Sequence, residues 1–401
     1  MHWAHQLIDG GAAFQRHNRS HYHIDVLRHS LETAVGFVGA ICVVLALAAT
    51  QTWLDRHFLP SFFVPRPWYV GLETLGRIVI GAAGLIAIIA RRRIAAFDPM
   101  YVASIVTATV LAFGASEIVL RAVHLRPTEW LLPTEEPVRR ADAMLGWRLE
   151  PSRTGRANVG GRAVEYAIDS SGYRVRRSDV PADLTRPTIV FAGESVMFGE
   201  GLQWEETIPA QTESLLGIQS ANIAVHGYST DQTYLRLRAE LPRFRQPVAV
   251  VALFMTALFG RNLDRDRPHL DEGLSWTPAI AASRLKSLAV LVVPFRRDRT
   301  VENGVRVTRE ALSAMATLAR SRGATPLIIV PQFGPESTLD ESIRRRVFDS
   351  AGLPVMRIEI DAAWRLPWDR HPNAAAARTI ADAIARRLRA EGSGLKAALS
   401  P

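Results

Sequence analysis

The sequence predicts an α/β protein with three transmembrane helices followed by a three-layer αβα sandwich on a parallel sheet. Three apolar runs of about 20 residues come first, and that is the length a helix needs to cross a bilayer. Short apolar strands then alternate with amphipathic helices, as in parallel sheets covered on both faces. At roughly 100–200 residues per domain, a chain of 401 residues has room for two or three units.

The apolar runs cover Ala34–Leu54, Val70–Ala90 and Met100–Leu120. They define a membrane domain of residues 34–120, preceded by a polar tail of residues 1–33. Buried core helices of a soluble protein are the alternative interpretation. Three such runs in succession, separated by short polar loops, favour membrane helices instead.

Arginines predict the orientation of these helices. Three arginines precede the first run, and Arg91, Arg92 and Arg93 follow the second, whereas the loop between these runs has only Arg56 and Arg66. The positive-inside rule places the N-terminus and the triple arginine in the cytoplasm. Three crossings then leave the C-terminal domain outside the cytoplasm, on a membrane that we expect to be the bacterial inner membrane.

The rest of the chain divides into a stalk and one domain. Residues 121–150 contain three prolines and are predicted to form a juxtamembrane stalk, followed by an αβα domain over residues 151–395. The predicted strands are Thr188–Ala192, Asn222–Val225, Val248–Phe254, Pro326–Val330 and Val355–Ile358. The predicted helices are Glu206–Leu216, Thr230–Leu241, Val305–Arg322, Asp340–Ser350 and Ala374–Ala390. Residues Met144–Arg176 are expected to form a small β subdomain, and Arg261–Asp298 an insertion over one edge of the sheet.

Composition excludes several classes of function. The net charge of +9 comes mainly from arginines that flank apolar runs or are scattered over helices, so no nucleic-acid partner is expected. One cysteine, Cys42, allows neither a disulfide framework nor a cysteine-based metal site. The sequence has no P-loop or dinucleotide fingerprint, and no cofactor or metal is expected. The N-terminal histidines lack acidic partners, which makes metal binding the minor interpretation there.

The first predicted strand of the αβα domain ends in Gly193-Glu194-Ser195, with Gly199 four residues further on. Catalytic groups of open parallel sheets gather where loops leave the carboxyl ends of strands. The nucleophile elbow of α/β-hydrolases is excluded, because Met197 stands where that elbow requires glycine. A serine after a strand is often only a helix cap, so Ser195 needs support from a second signal.

That signal lies before the last helix, in Asp369-Arg370-His371-Pro372-Asn373. A serine hydroxyl needs a neighbouring base, which His371 supplies, and Asp369 can hold the imidazole in the required tautomer. In an extended loop, residues two apart project to the same side, which would bring this pair together. Asp361 is the alternative acid, but it lies ten residues from His371. We therefore predict Ser195 as nucleophile, His371 as base and Asp369 as orienting acid.

These motifs resemble those of a known family. Gly193-Glu194-Ser195 with Gly199 resembles the first block of the SGNH hydrolases, the GDSL-type esterases and lipases, whose usual form is Gly-Asp-Ser. Ala221–Tyr228 resembles their second block and Asp369–Asn373 their last, in family order over about residues 145–390. Leu145-Gly146-Trp147 and Asp169–Arg174 resemble the lead-in of envelope members. The resemblance implies an SGNH, flavodoxin-like sandwich and an oxyanion hole formed by the backbone N–H groups of Ser195 and Gly227.

One block departs from the family. Its third block ends a strand with an asparagine that completes the oxyanion hole, and Val250–Ala257 contains none. Thr256 is the nearest hydrogen-bond donor and Asn262 the nearest asparagine, so both are candidates for the missing group. Loss of one oxyanion donor typically costs ~10²–10³ in turnover.

The resemblance implies a serine esterase or O-acyltransferase, and the apolar runs with their flanking arginines predict that it is membrane-anchored and extracytoplasmic. Water as the acceptor makes it an esterase, and a sugar hydroxyl makes it an acyltransferase. Acyl esters, including those of cell-surface polysaccharide, are the substrate class expected by analogy. The alternative is a catalytically degenerate SGNH-like module that binds glycan or acts as a scaffold in an envelope assembly. A separate envelope acyltransferase or transporter is left open as a partner.

Overall fold

The structure is a computed structural model that describes residues 28–58, 66–122, 135–280, 283–292, 295–349, 351–367 and 369–391. These residues form two compact units. Residues 28–55 and 66–116 belong to the first unit, and residues 56–58 with those from 117 onward belong to the second. Most of the predicted tail, including five of its six histidines, lies outside the described residues.

Among the described residues, three long helices are apolar and long enough to cross a membrane. They are α1 (Arg28–Ala48), α3 (Arg66–Ile94) and α4, which covers Pro99–Ala122. Their most apolar windows have mean hydropathies of 2.2, 1.9 and 1.8, and this confirms the prediction of three apolar helices. The first run was predicted to reach Leu54, but α1 ends at Ala48 and a short helix α2 (Gln51–His57) follows the polar Thr50.

Glycines allow α1 and α3 to pack closely. A methyl group at Gly39 would lie 2.7 Å from the carbonyl oxygen of Gly84, and one at Gly84 would lie 2.6 Å from that of Gly39. Small residues at the crossing of membrane helices allow such close backbone contact. Gly39 and Gly84 therefore have a packing role that hydropathy alone does not reveal.

The second unit is built on an eight-stranded sheet of order β12-β11-β8-β6-β7-β5-β4-β3. The first five strands in this order, β12, β11, β8, β6 and β7, are parallel to one another. The remaining strands β5, β4 and β3 are added by antiparallel pairing. The strand bounds are β1 Arg139–Asp142, β2 Gly146–Leu149, β3 Arg153–Val159, β4 Arg162–Ile168, β5 Arg174–Val175, β6 Pro187–Ala192, β7 Gln219–Asn222, β8 Gln246–Leu253, β9 His269–Leu270, β10 Trp276–Thr277, β11 Thr325–Phe333 and β12 Val355–Ile360. The predicted fold class, three apolar helices followed in the sequence by a mostly parallel α/β sheet, is confirmed.

Helices cover both faces of this sheet, with α6 packed on α11, and α9 packed on α7 and α10. Neighbouring residues of β6 alternate between the two resulting cores: Ile189 and Phe191 lie in one, Val190 and Ala192 in the other. The helix bounds are α5 Ser195–Phe198, α6 Ile208–Leu216, α7 Thr230–Glu240, α8 Arg284–Val292, α9 Asp298–Ser321, α10 Thr338–Phe348 and α11 Ala374–Glu391. Short 3-10 helices cover Trp204–Glu206, Leu241–Arg243, Thr256–Leu263 and Glu272–Leu274.

Three sequence predictions need correction. The strand predicted at Asn222–Val225 is β7, which ends at Asn222, because the apolar residues after it form a buried loop. Residues 144–176 form no separate subdomain, since β5 pairs with β7 and extends the main sheet. The expected stalk to residue 150 is too long, because β1 and β2 pair and bury Trp147 and Leu149 in the core.

Candidate active site

Ser195 is the first residue of α5, directly after the central strand β6. Glu194 precedes it as the helix N-cap, and its carboxylate accepts the backbone N–H of Val196 at 3.1 Å. Gly199 ends the helix with a φ of 87°, in the left-handed region that favours glycine. A methyl group there would also lie 2.6 Å from the Thr207 side chain. The serine is therefore held in a short, buried turn at the carboxyl edge of the sheet.

The structure brings Ser195, His371 and Asp369 together. Ser195 Oγ lies 2.8 Å from His371 Nε2, and His371 Nδ1 lies 2.5 Å from Asp369 Oδ1. An ionised carboxylate only accepts hydrogen bonds, so Nδ1 carries the proton and Nε2 of the neutral ring faces the serine as an acceptor. Asp361, the alternative acid, is exposed and accepts the backbone N–H of Ala363 at 2.8 Å. This geometry favours Asp369 as the partner of His371.

The backbone conformation that brings Asp369 and His371 together differs from the predicted one. Arg370, between the two residues, has a φ of 69°, so the loop is not extended as we assumed. The left-handed residue folds the chain back, and the backbone N–H of His371 also donates to Asp369 Oδ1, at 3.2 Å. The Arg365 guanidinium donates to the carbonyl of Arg370 at 2.8 Å and holds this conformation. The loop thus stores backbone strain at the point where acid and base meet.

Replacing Arg370 by glycine is expected to raise the free energy of unfolding by about 1 kcal/mol, because glycine adopts the left-handed region without strain. Thermal and denaturant unfolding of the full chain in detergent would measure the change. The control is R370A, which also removes the guanidinium but keeps the strained Cβ. Equal stabilisation by R370A would contradict the backbone explanation.

The Ser195 hydroxyl has two acceptors within reach but only one proton. Its Oγ lies 2.6 Å from Glu194 Oε2 as well as 2.8 Å from His371 Nε2. When His371 is protonated it donates to Ser195, which then donates to Glu194. When His371 is neutral, the two side chains compete for the serine proton. Glu194 also lies 3.6 Å from Arg261 Nη1, so this carboxylate is partly balanced by a cation.

Charge around His371 favours its protonated form. Burial of the ring opposes ionisation, but the hydrogen bond and charge of Asp369, with the charges of Glu200 and Glu194, raise the pKa of His371. Burial likewise opposes ionisation of Asp369, and the bonds from His371 outweigh it and lower the pKa of Asp369. This arrangement stabilises the protonated form that His371 adopts when it takes up the proton of Ser195.

Two backbone N–H groups were predicted to face the oxyanion. As the first residue of α5, Ser195 has no acceptor for its N–H within the helix. Gly227 lies in a tight turn with a φ of 72°. This turn is anchored on both sides, because Trp147 Nε1 donates to the carbonyl of His226 at 3.1 Å and Arg267 Nη1 to that of Gly227 at 2.5 Å. The Leu145-Gly146-Trp147 motif thus helps to hold the second block.

The two candidates for the third oxyanion donor lie in the 3-10 helix after β8. Both side-chain N–H groups of Asn262 are used, by the hydroxyls of Thr230 at 3.0 Å and Thr308 at 2.7 Å. Asn262 therefore ties α7 to α9, and we do not retain it as an oxyanion donor. Thr256 is buried, and among the described residues its hydroxyl makes no hydrogen bond to Ser195 or His371.

Sequence reasoning missed Arg174, which is only 1% exposed. Its guanidinium donates to the carbonyls of Phe198, Gly199 and Leu202 at 2.8, 2.6 and 2.5 Å. It also lies 4.8 Å from the centres of the Tyr166 and Phe198 rings. Burial lowers the pKa of Arg174 to about 10, which leaves it charged at neutral pH. The conspicuous Asp169–Arg174 motif was the available signal, but nothing in the sequence linked it to the turn after Ser195.

The hairpin between β3 and β4 packs its tip against the loop of Asp369 and His371. Gly160, at this tip, has a φ of 58°, and a methyl group there would lie 2.7 Å from the carbonyl oxygen of Pro367. The antiparallel end of the sheet therefore supports the acid–base loop directly. Among the described residues, no group of three His, Cys, Asp or Glu side chains is arranged to hold a metal ion.

The second unit is thus an αβα sandwich with a Ser–His–Asp arrangement at the carboxyl edge of its sheet, in which the serine and the histidine are buried. No protein-family model matches the chain, and no curated protein matches its sequence.

The solved structures that match include lipolytic proteins of the G-D-S-L family, whose motifs this sequence resembles, together with carbohydrate esterases and an acyltransferase. A carbohydrate acetylesterase from Sinorhizobium meliloti is 11% identical, with 51% of this chain and 100% of that chain covered and a TM-score of 0.32. A member of the lipolytic G-D-S-L family from Veillonella parvula is 12% identical, with 49% and 94% covered and a TM-score of 0.30. A salicylyl-acyltransferase from a tetracycline biosynthetic pathway is 15% identical, with 54% and 57% covered and a TM-score of 0.26.

Proposed function

We propose that this protein is a membrane-anchored serine esterase or O-acyltransferase that works through an acyl-Ser195 intermediate. The single observation that carries the proposal is the continuous hydrogen-bonded line from Ser195 through His371 to Asp369, with distances of 2.8 and 2.5 Å. A nucleophile in contact with a base, and that base in contact with an orienting acid, is the arrangement that acyl transfer requires.

The first half of the reaction forms the acyl-enzyme. Ser195 Oγ attacks the ester carbonyl carbon while its proton passes to His371 Nε2. The N–H groups of Ser195 and Gly227 stabilise the negative charge on the carbonyl oxygen. The tetrahedral intermediate then expels the alcohol, which takes the proton from His371. Asp369 keeps the ring in place and stabilises its cationic form, without itself taking up the proton.

The second half transfers the acyl group. His371 removes a proton from water or from an acceptor hydroxyl, whose oxygen attacks the acyl carbon. Ser195 leaves and recovers its proton from His371. Water as acceptor gives an esterase, and a sugar hydroxyl gives an O-acyltransferase. The arginine distribution around the apolar helices supports an extracytoplasmic position, and acyl esters of cell-surface polysaccharide are the substrate class proposed there.

The test uses the full chain in detergent with a fluorophosphonate probe. We expect the wild type to be labelled on Ser195, as identified by mass spectrometry of the adduct, and to release p-nitrophenol from p-nitrophenyl acetate. S195A and H371A should lose both signals while their unfolding midpoints stay close to that of the wild type. A folded wild type that neither labels nor turns over would overturn the proposal.

The alternative is a catalytically degenerate glycan-binding or scaffold module. One observation favours it: Val250–Ala257 contains no asparagine, and the amide of Asn262 is committed to two threonines. The labelling experiment separates the two functions, because a module without catalysis has no need for an activated serine.

A further inference from the structure

A second buried acid–base pair, Glu200 and His226, lies beside the candidate triad. Glu200 follows the turn of the nucleophile, and its backbone N–H donates to the carbonyl of Ser195 at 3.0 Å. His226 directly precedes Gly227. His226 Nδ1 is in direct contact with Glu200 Oε2. The two side chains therefore join the turn that carries Ser195 to the loop that carries Gly227.

The pair is enclosed by the protein. The His226 side chain is 4% exposed and that of Glu200 14%. The imidazole packs against the Phe198 ring, with 4.3 Å between ring centres and a tilt of 34° between the ring planes. Burial raises the pKa of Glu200 to about 7, and burial together with nearby cations lowers that of His226, so His226 stays neutral. Burying polar side chains such as Glu200 and His226 is costly. The pair nevertheless lies where the turn of Ser195 meets the loop of Gly227, and the proposed chemistry depends on both segments.

Several charged groups from different segments act on this pair electrostatically. The charges that act on Glu200 are those of His371, Asp369, Arg174 and Arg139. Those that act on His226 belong to Arg139, Arg174, His371 and Arg261. The charges of three carboxylates, Asp369, Glu200 and Glu194, raise the pKa of His371. Asp369 contacts Nδ1 of the His371 ring, and the charge of Glu200 adds to its effect in raising the pKa of His371.

We propose that Glu200 and His226 form a positioning pair, which fixes the Ser195 turn relative to the Gly227 loop and whose carboxylate supports the protonated form of His371. This inference rests on the proposed function. The pair has two separable roles, and each is a claim that can be tested. The contact between Glu200 and His226 sets the geometry of the nucleophile and the oxyanion N–H groups. The charge of Glu200 sets the pH range in which His371 works.

Two substitutions separate these claims. E200Q keeps the length and polarity of the side chain, and so keeps the contact with His226, but removes the charge. E200A removes both. The matched control is E205Q, because Glu205 is a carboxylate five residues further on, in the 3-10 helix Trp204–Glu206, whose side chain is 59% exposed and pairs with Arg176.

The experiment measures kcat/KM for p-nitrophenyl acetate and the rate of fluorophosphonate labelling against pH, with the full chain in detergent. Glu200 becomes charged as the pH rises through its pKa of about 7, and E200Q removes that charge. The pKa of His371 is then lower, so the neutral base is available at lower pH. We expect the acid limb of the E200Q profile to move down by about 0.5 pH unit or more, with the plateau rate nearly unchanged. For E200A we expect the same shift and also a plateau kcat lower by on the order of 10-fold. The E205Q profile should overlay that of the wild type.

The outcomes distinguish this inference from the proposed function. If the wild type is active and the E200Q profile overlays it, the charge claim is overturned. If the plateau of E200A equals that of E200Q, the positioning claim is overturned. If the wild type neither labels nor turns over, the proposed function fails and this inference fails with it.

Discussion

Replacing Asp369 by asparagine is expected to lower kcat/KM on the order of 10⁴-fold, whereas D361N should leave it unchanged. Asp369 Oδ1 accepts from His371 Nδ1 at 2.5 Å and so keeps Nε2 free to accept the serine proton. An asparagine in its place can present N–H to Nδ1, which favours the opposite tautomer and turns Nε2 into a donor. The base would then point a proton at Ser195 instead of receiving one.

D361N is the matched control, because Asp361 is the only other acid that the sequence suggested for the triad. Asp361 is exposed, and among the described contacts its carboxylate accepts only the backbone N–H of Ala363. Turnover of p-nitrophenyl acetate and the rate of fluorophosphonate labelling report on both variants. A large loss in D361N together with a mild one in D369N would reverse the assignment of the acid.

Replacing Arg174 by methionine is expected to lower the free energy of unfolding by about 3–5 kcal/mol. The guanidinium is buried and donates to three carbonyls of the segment after Ser195, at 2.5–2.8 Å. Methionine fills a similar volume but donates nothing, so these carbonyls lose a charged donor inside the protein. The turn that carries the nucleophile should loosen as well, and labelling of Ser195 should slow.

R176M is the control for this change. Arg176 lies two residues further on, and its side chain is 67% exposed and pairs with Glu205 at 3.2 Å. Exposed pairs contribute little, so we expect less than about 0.5 kcal/mol for R176M. Denaturant unfolding of the full chain in detergent measures both variants. Comparable losses in the two would mean that the bonds of Arg174 to the turn do not stabilise it.

Most of the fold could be predicted from the sequence, because the length and spacing of apolar residues indicate whether a segment forms a helix or a strand. Apolar runs of bilayer length predicted the helices of the first unit, and β-branched runs predicted the five parallel strands. The prediction of β7 was displaced by three residues, since Ile223, Ala224 and Val225 look like a strand but form a loop buried beside the site. The extension by β3, β4 and β5 depends on pairing between distant segments, which apolar periodicity does not encode.

In the candidate site, too, some residues could be predicted from the sequence and others could not. Ser195, Asp369 and His371 follow or precede regular elements, so their positions could be read from the sequence. Arg174 and Glu200 could not, because a buried charged residue looks like a surface one until its partners are known. The left-handed conformation of Arg370 is equally hidden, since arginine has no preference for it.

The close contact of the Gly160 tip with Pro367 has a consequence for how this protein can change. Because the tip leaves no room for even a methyl group, the hairpin and the acid–base loop have complementary shapes. A loop transplanted from another protein would need its own hairpin to fit. The two segments lie about 200 residues apart in the chain. A change in the shape of one of them, in evolution or by engineering, therefore requires a matching change in the other.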